Sequence, residues 1–457
     1  MSVPAYPAYK DSGVEWLGAI PQGWQVKRGK HLFRSIEQGW SPQCDGFPAT
    51  SVDEWGVLKV GCVNGGSFDP TENKALPAGL TPVPSLGITA GDVLVSRANT
   101  RELVGSAAYV ADDHPNLMLC DKLFRLRFDE SLCMAKLFAI YLGADAARGQ
   151  IELEASGASQ SMVNIGQGTI LNLPVPLPPR GEQSAIVAFL DCETGKIDAL
   201  VAEQERLMAL LKEKRQAVIS HAVTKGLDPN APMKDSGVEW LGDIPEAWGV
   251  RRLKDLVHFV SGGTPSKERE EFWQGNIPWV SPKDMKKWIV TGEADGITEE
   301  AVLASSLTMI APEAVLIVVR GMILAHSFPV ALSGRQLTIN QDMKAVIPSP
   351  NLASRFLAYT LVAYREAIAE FIDEAGHGTR ALRMEGFGSL KIGAPPLGEQ
   401  TAICDWIDEA LVRLEDLNNE AKRAIAILKE RRAALISAAV TGKIDVRGVV
   451  PDARQAA

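Results

Sequence analysis

Lys10-Asp-Ser-Gly-Val-Glu-Trp-Leu-Gly18 occurs a second time, letter for letter, as Lys234 to Gly242. Ile-Pro and then a Trp follow in both copies: Ile20, Pro21, Trp24 and Ile244, Pro245, Trp248. A second matched pair closes each half, Pro178-Pro-Arg-Gly-Glu-Gln-Ser-Ala-Ile186 against Pro395-Pro-Leu-Gly-Glu-Gln-Thr-Ala-Ile403. Between these segments the two halves look almost unrelated. A duplicated frame around two different inserts suits a partner that is two-fold in shape but not in content. DNA with a split, asymmetric target is such a partner.

After each Gly-Glu-Gln the pattern turns helical. Leu190, Ile197, Leu211 and Val218 fall on one heptad position, with Gln204 in the remaining slot. Leu200 and Leu207 fall on a partner position. The second copy repeats this with Ile407, Leu414, Ala421, Leu428 and Leu435, and with Leu417 and Ala424 on the other position. Apolar residues at heptad spacing predict a coiled-coil seam. Pro-Pro before each run and Gly226 after the first are start and stop signals. Each helix is expected to hold about 40 residues, roughly 60 Å at 1.5 Å per residue. The small Ala421 and Ala424, where the first copy has Gln204 and Leu207, favour an antiparallel pair. The first helix leads directly into the second Lys-Asp-Ser-Gly repeat, but no third copy follows the second helix. The first copy is therefore expected to dock at the end of the second helix, bringing the termini close together.

The inserts, roughly 25–175 and 249–392, read as mixed strand and helix. Val93-Leu-Val-Ser-Arg97 and Leu316-Ile-Val-Val-Arg320 look like equivalent strands, each ending in Arg; Leu123–Arg127 and Met343–Ile347 look like another pair. A helix is expected over about Lys136 to Arg148 and again over about Ala353 to Phe371, the latter with Phe356, Leu357, Tyr364 and Ile368 as its apolar stripe. Candidate contact loops are rich in Gly, Ser, Thr and Asn and flanked by cations. In the first insert they offer Asn64, Arg97, Asn99 and Arg101. In the second they offer Gly263, Thr264, Ser266, Lys267, Lys283, Arg320, Asn340 and Gln341. Backbone amides and hydroxyls in such loops can hold phosphates. Arg can read guanine, and Asn or Gln adenine, by paired hydrogen bonds in the major groove. Glycine turns beside a Lys are also ordinary turns, and Arg97 and Arg320 could equally be structural ion-pair partners.

The bulk composition, 46% hydrophobic and 23% charged, is that of a globular protein. The net charge of −9 argues against a protein that coats nucleic acid through a broad positive field, though not against local cationic patches. No apolar run reaches the roughly 20 residues of a membrane span, and no signal peptide is visible. The six cysteines form no Cys-x-x-Cys, so a cytoplasmic location with reduced thiols is expected, with no metal site. The six histidines, His377 among them, have no second His or Cys at ligand spacing. There is no Asn/Asp-Pro-Pro-Tyr/Phe tetrapeptide, phosphate-binding loop or His-Glu-x-x-His, and no nucleophile–base pair can be argued. A binding scaffold without catalytic residues is the expectation.

Taken together, the paired openings, the Pro-Pro-x-Gly-Glu-Gln-x-Ala-Ile helix starts and the Leu-Lys-Glu-Lys/Arg-Arg helix ends resemble the specificity subunit of type I restriction–modification enzymes over nearly the whole chain. Gly262-Gly-Thr-Pro-Ser266, Asn340-Gln-Asp-Met343 and Gly91–Asn99 also resemble family segments. The resemblance implies an α+β fold: two mixed α/β target recognition domains separated by an antiparallel two-helix coiled coil, pseudo-two-fold, with termini close together. Its expected segments are 1–175 (first recognition domain with the N-terminal conserved segment), 176–226 (first helix), 227–392 (second recognition domain) and 393–457 (second helix and tail). It implies that each domain reads half of a bipartite double-stranded DNA target, while the helices set the spacer and dock two methyltransferase subunits. Motor/nuclease subunits would complete the complex. S-adenosylmethionine, ATP and Mg2+ would belong to those partners, with no cofactor on this chain and no membrane. Subunit docking or helix pairing would then fall to Glu182, Gln183, Leu190, Ile197, Leu200, Leu207, Leu211 and Val218. Their counterparts are Glu399, Gln400, Ile407, Leu414, Leu417, Leu428 and Leu435. One departure stands out: the first insert lacks Gly-Gly-Thr-Pro-Ser, with Arg34–Trp40 at that place. A coiled-coil adaptor that binds proteins, or the specificity subunit of a related methyltransferase-only system, remain as alternatives.

Overall fold

The computed structural model describes residues 3–51, 53–159, 162–375 and 378–449; His377 lies outside them. The chain forms two compact units. The first comprises 1–204 and 423–457, and the second 205–422. Each long helix, Arg180–Lys225 and Leu397–Val440, therefore begins in one unit and ends in the other.

In the first unit a four-stranded antiparallel sheet runs in the order Ala107–Tyr109, Val93–Ser96, Leu123–Phe128, Phe33–Gln38. The alternating apolar residues Val93, Val95, Phe124 and Leu126 face a core shared with Phe138 and Tyr141 of the helix Ala135–Leu142. Gly143 closes that helix, and a separate one, Asp145–Glu154, follows in place of the single expected helix. In the second unit the sheet order is Val257–Ser261, Met343–Pro348, Val315–Val318, Val330–Ser333, with Ile289–Val290 added in parallel at the edge. Phe356, Leu357, Tyr364 and Ile368 are all buried, but their helix breaks at Tyr364 into Ser354–Ala363 and Arg365–Ala369.

The registers fix which residues correspond. Leu123 pairs with Ser96, and Met343 with Val318. Ala98 pairs with Asn164 and Arg320 with Ala381, while Ile165 N donates to Arg97 O as Leu382 N does to Val319 O. Arg320 is thus the counterpart of Ala98, and Arg97 that of Val319. The sequence alignment that ended both strands in Arg was one residue out, a slip that turns a side chain to the opposite face of a strand.

The repeated frame folds alike in both units. Lys10 pairs with Ile20 and Lys234 with Ile244 across a small hairpin, with Gly13, Gly18, Gly237 and Gly242 at positive φ. Gly442, at φ 74°, ends the second long helix against Pro21 and Trp24; a Cβ there would lie 2.3 Å from Pro21 Cδ. Gly226, also at φ 74°, ends the first long helix against Trp248 and Pro245. Asp445 N donates to Pro4 O at 2.7 Å, Tyr9 Oη donates to Gly442 O at 3.1 Å, and Arg447 lies over the Tyr6 ring. The N-terminal copy does dock on the end of the second helix, and the described ends of the chain are close.

Within each unit the two long helices run antiparallel. In the first, Asp198 pairs with Arg432, while Ile186 and Leu190 share a core with Ala439 and Val440. In the second, Arg215 pairs with Glu415, while Ile219 and Val223 share a core with Ile403 and Ile407. Leu190, Ile197, Ile407 and Ala421 are buried, and Leu211, Val218, Leu414, Leu428 and Leu435 are half-buried along the same line. The partner position differs from expectation. Leu200, Leu207 and Leu417 are 53%, 38% and 46% exposed. The seam instead alternates by four residues at that step, through the half-buried Thr194, Val201 and Met208 and through Leu411, Asn418 and Ile425. A heptad seam needs spacings of three and four in alternation, and the leucines at the three-residue step drew the expected line onto the wrong flank.

The Gly-Glu-Gln motif has a different role from helix pairing. Gln183 is buried; its Oε1 accepts from Met134 N (2.8 Å) and its Nε2 donates to Leu132 O and Pro178 O (both 3.0 Å). Gln400 repeats this with Ala353 N (2.7 Å), Asn351 O (3.0 Å) and Pro395 O (2.8 Å). Each glutamine therefore holds the start of its insert's helix against the start of a long helix, satisfying backbone groups that a helix end leaves open. Glu182 accepts from Tyr6 Oη and from Trp24 Nε1 (3.0 Å), which anchors the N-terminal segment. Burial and then the Glu182 carboxylate push the Tyr6 phenol well above its usual range. In the second unit Asn230 stands four residues before the repeat, where the first has Tyr6. There Glu399 sits beside Gly226, and Trp248 Nε1 has no hydrogen-bond partner among the described residues.

Candidate nucleic-acid interface

In both inserts a turn singled out for contact follows the edge strand of the main sheet. The strand Phe33–Gln38 leaves its sheet at Gly39, and Val257–Ser261 leaves at Gly262. Both glycines are demanded by contact. A Cβ on Gly39 would sit 1.9 Å from Leu119 O, and one on Gly262 would sit 2.1 Å from Asn340 O. Trp40 N then donates to Leu119 O (3.0 Å), and Gly263 N to Ile339 O (2.9 Å). The two turns are the same turn.

The first insert does lack Gly-Gly-Thr-Pro-Ser, but the segment at the equivalent place starts at Gly39 rather than spanning Arg34–Trp40. Gly39-Trp-Ser-Pro42 occupies its place, with Trp40 for Gly263 and Ser41 for Thr264. The signal was a Gly-x-Ser/Thr-Pro pattern, visible once the glycine's contact is known. The opposing loop also corresponds: Cys120-Asp121-Lys122 precedes Leu123 as Asn340-Gln341-Asp342 precedes Met343.

In the second insert Gly263, Thr264 and Gln341 are brought together, with Thr264 Oγ1 donating to Gln341 Oε1. Gly263 O accepts from Trp279 Nε1 (2.9 Å), and Ser266 O from Trp273 Nε1 (3.1 Å), so both residues also brace the loop. Gln341, Lys267 and Lys283 are exposed. Lys283 rides on a short 3-10 turn held by a Ser281–Asp284 capping box. Arg320 is exposed on the adjoining three-stranded sheet. Asn340 is buried, and its Oδ1 accepts from Asp342 N (3.1 Å). It shapes the turn from inside and is withdrawn from the contact set.

In the first insert Asn99 Nδ2 donates to Asn64 Oδ1 (3.3 Å), joining two candidates from different loops, and Arg101 is exposed nearby in sequence. Arg97 NH1 donates to Asp121 O (3.4 Å), which places it beside the Ser41–Asp121 turn. Ser41, Trp40 and Asp121 were missed from sequence because they match the second insert only through the fold. Among the described residues no group of three or more His, Cys, Asp or Glu could hold a metal ion. No described helix is long and apolar enough to cross a membrane. Burial pushes the Cys120 thiol up to about 11 and those of Cys133 and Cys404 to about 12, so these residues stay protonated and apolar in character.

A family model described as the type I restriction modification DNA specificity domain matches residues 245–426. Over 243 residues the chain is 36% identical to the specificity subunit of the Escherichia coli type I restriction enzyme EcoR124I/EcoR124II, covering 52% of this chain and 55% of that protein. The match to the Escherichia coli EcoEI specificity subunit is 30% identical and covers 41% of this chain and 32% of that protein. The chain thus spans about half or less of these relatives' length. Over 439 residues it is 22% identical to the putative MjaX specificity subunit of Methanocaldococcus jannaschii, covering 94% of this chain and 96% of that protein. The fold is shared with the HsdS subunit from Thermoanaerobacter tengcongensis (TM-score 0.52, 18% identity, 93% and 98% covered). It is also shared with a chain from a structure on complex assembly and conformational transition of the type I R-M system (TM-score 0.69, 17% identity, 93% and 99% covered). Residues 245–426 thus match the type I restriction modification DNA specificity domain, and the chain is similar to specificity subunits of type I restriction enzymes.

Proposed function

We propose that the chain is the non-catalytic specificity subunit of a type I restriction–modification complex and acts in the cytoplasm. Its inserts, within 1–175 and 227–392, each read one half of a bipartite double-stranded DNA target. The long helices, 176–226 and 393–457 with their flanks, set the spacer and dock two methyltransferase subunits. Motor/nuclease subunits join the full complex. S-adenosylmethionine, ATP and Mg2+ are bound by those partners. The observation that carries this reading is one turn built twice with different residues: Gly39-Trp-Ser-Pro42 against Asp121, and Gly262-Gly-Thr-Pro265 against Gln341. Identical scaffolding with divergent tips is what reading two unlike half-sites requires.

Asn64, Asn99, Arg101, Lys267, Lys283 and Arg320 supply amides and cations for phosphates or base edges. The exposed Leu200, Leu207 and Leu417, left outside the seam, offer apolar contact to the methyltransferase subunits. The test is DNA binding by the chain assembled with its methyltransferase, across a salt series. Affinity is expected to fall by orders of magnitude with salt and to require both half-sites. Salt-insensitive binding, or binding unaffected by scrambling one half-site, would overturn the reading.

A further inference from the structure

The two matched turns differ in hydrogen-bonding chemistry at three positions: Asp121 against Gln341, Gln38 against Ser261 and Arg97 against Val319. In the first insert Ser41 Oγ donates to Asp121 Oδ1, and Asp121 N donates back to Ser41 Oγ at 3.1 Å. Gln38 Nε2 (3.0 Å) and Arg97 NH1 (3.4 Å) both donate to the Asp121 carbonyl. The tip thus holds the Asp121 carboxylate on a turn locked by Gly39, with the Arg97 guanidinium bonded to the same residue's carbonyl. In the second insert Thr264 donates to Gln341 Oε1, Ser261 replaces Gln38, and Val319 replaces Arg97. Ser261 Oγ there accepts from Lys344 Nζ at 2.6 Å. The hydroxyl fixes each reading group about its last torsion, so neither must be ordered on binding.

We propose that Asp121 and Gln341 are the equivalent specificity-determining residues of the two inserts, and that Ser41 and Thr264 position them. A carboxylate can only accept, which suits the cytosine N4 amine, and the adjacent Arg97 fork suits guanine O6 and N7. Asp121 with Arg97 therefore selects a C·G pair. The Gln341 amide both donates and accepts, which suits adenine N6 and N7, and Val319 beside it supplies no fork for guanine. Gln341 therefore selects an A·T pair. The assignment rests on the specificity-subunit reading above and adds which residue reads, and what kind of base pair it reads.

The test uses the full chain with its methyltransferase subunits. The methylated motif is read from the genome of a host expressing both, and binding is measured on duplexes substituted one base pair at a time. If the parent complex methylates no bipartite motif, the specificity-subunit reading itself fails. If it does, Asp121→Asn is expected to change discrimination at one base pair of one half-site by about tenfold, within the span of a good bidentate contact. The other half-site and the spacer stay as they were. Gln341→Glu is expected to do the same in the other half-site only, and Ser41→Ala to blunt the Asp121 position without shifting it. Unchanged motifs in both variants would overturn the proposal and leave the bipartite reading standing. A fall in affinity uniform across the duplex panel would also overturn it, since that is the mark of a phosphate contact or of lost folding.

Discussion

Four positions in the central sheet carry opposite chemistry in the two inserts. In the first they are Glu37, Asp92, Arg125 and Arg127. In the second, by strand register, they are Val260, Ala314, Ala345 and Ile347. Arg125 is 1% exposed. It donates to Glu37, to Gly87 O (2.7 Å) and to Ser85 O (2.9 Å), and it lies 3.9 Å from the buried Asp92, which also takes Arg127 Nε at 3.1 Å. The apolar set packs in the second insert with no charge to satisfy. One fold thus tolerates a buried ion network or a hydrocarbon core at the same place. Replacing a buried pair by apolar groups is often neutral, whereas removing one member strands the other charge.

The largest expected effect follows from that asymmetry. Arg125→Ala should destabilise the first unit by about 3–5 kcal/mol. Installing the second insert's set, Glu37→Val, Asp92→Ala, Arg125→Ala and Arg127→Ile together, should recover most of the loss. Hydrogen exchange resolved by unit checks both; a quadruple variant no more stable than the single one would break the comparison.

Next in size are the glutamines that hold each insert's helix. Gln183→Ala and Gln400→Ala should each cost about 1–3 kcal/mol, because buried backbone groups lose their partners. The damage should stay in the unit that contains the substitution, and equal loosening of both units in either variant would contradict this.

A smaller difference is expected with pH. Burial alone would raise the Glu37 pKa, but the Arg125 hydrogen bond, helped by Arg127, wins and holds the carboxyl below its usual 4.5. A carboxylate lowered on folding stabilises above its unfolded value, and that contribution is lost as pH falls through the folded one. Acidification below about 4.5 should therefore loosen the first insert's sheet before the second's, as read by exchange rates. The quadruple variant should remove the difference. The smallest stability effect belongs to the exposed seam-flanking leucines. Leu207→Glu or Leu417→Glu should leave unfolding within about 0.5 kcal/mol of the parent while weakening methyltransferase association, measured by co-purification.

The frame was legible in the sequence because it is written twice: the hairpins, the two long helices, their antiparallel sense and the closing of the chain on itself all follow from repeat order and heptad spacing. The seam's second line was not. Steps of three and four place residues on either flank of the same stripe, and the leucines chosen are the ones left exposed. Inside the inserts the strands were found, but their alignment slipped by one residue at Arg97 and Arg320, because a run of Val, Leu and Ile carries no register of its own. The first insert's turn was hidden for a different reason. Only Gly39 is fixed by steric contact, and Trp40, Ser41 and Asp121 are free to differ from their counterparts. Divergence there is what the proposed function would select.

The most direct test of the account is the methylome of a host that expresses this chain with its methyltransferase. The expected result is one motif of two unlike half-sites at a fixed spacing, with one half changed by Asp121→Asn and the other by Gln341→Glu. A single undivided motif, or a pattern of methylation that does not depend on this chain, would contradict it.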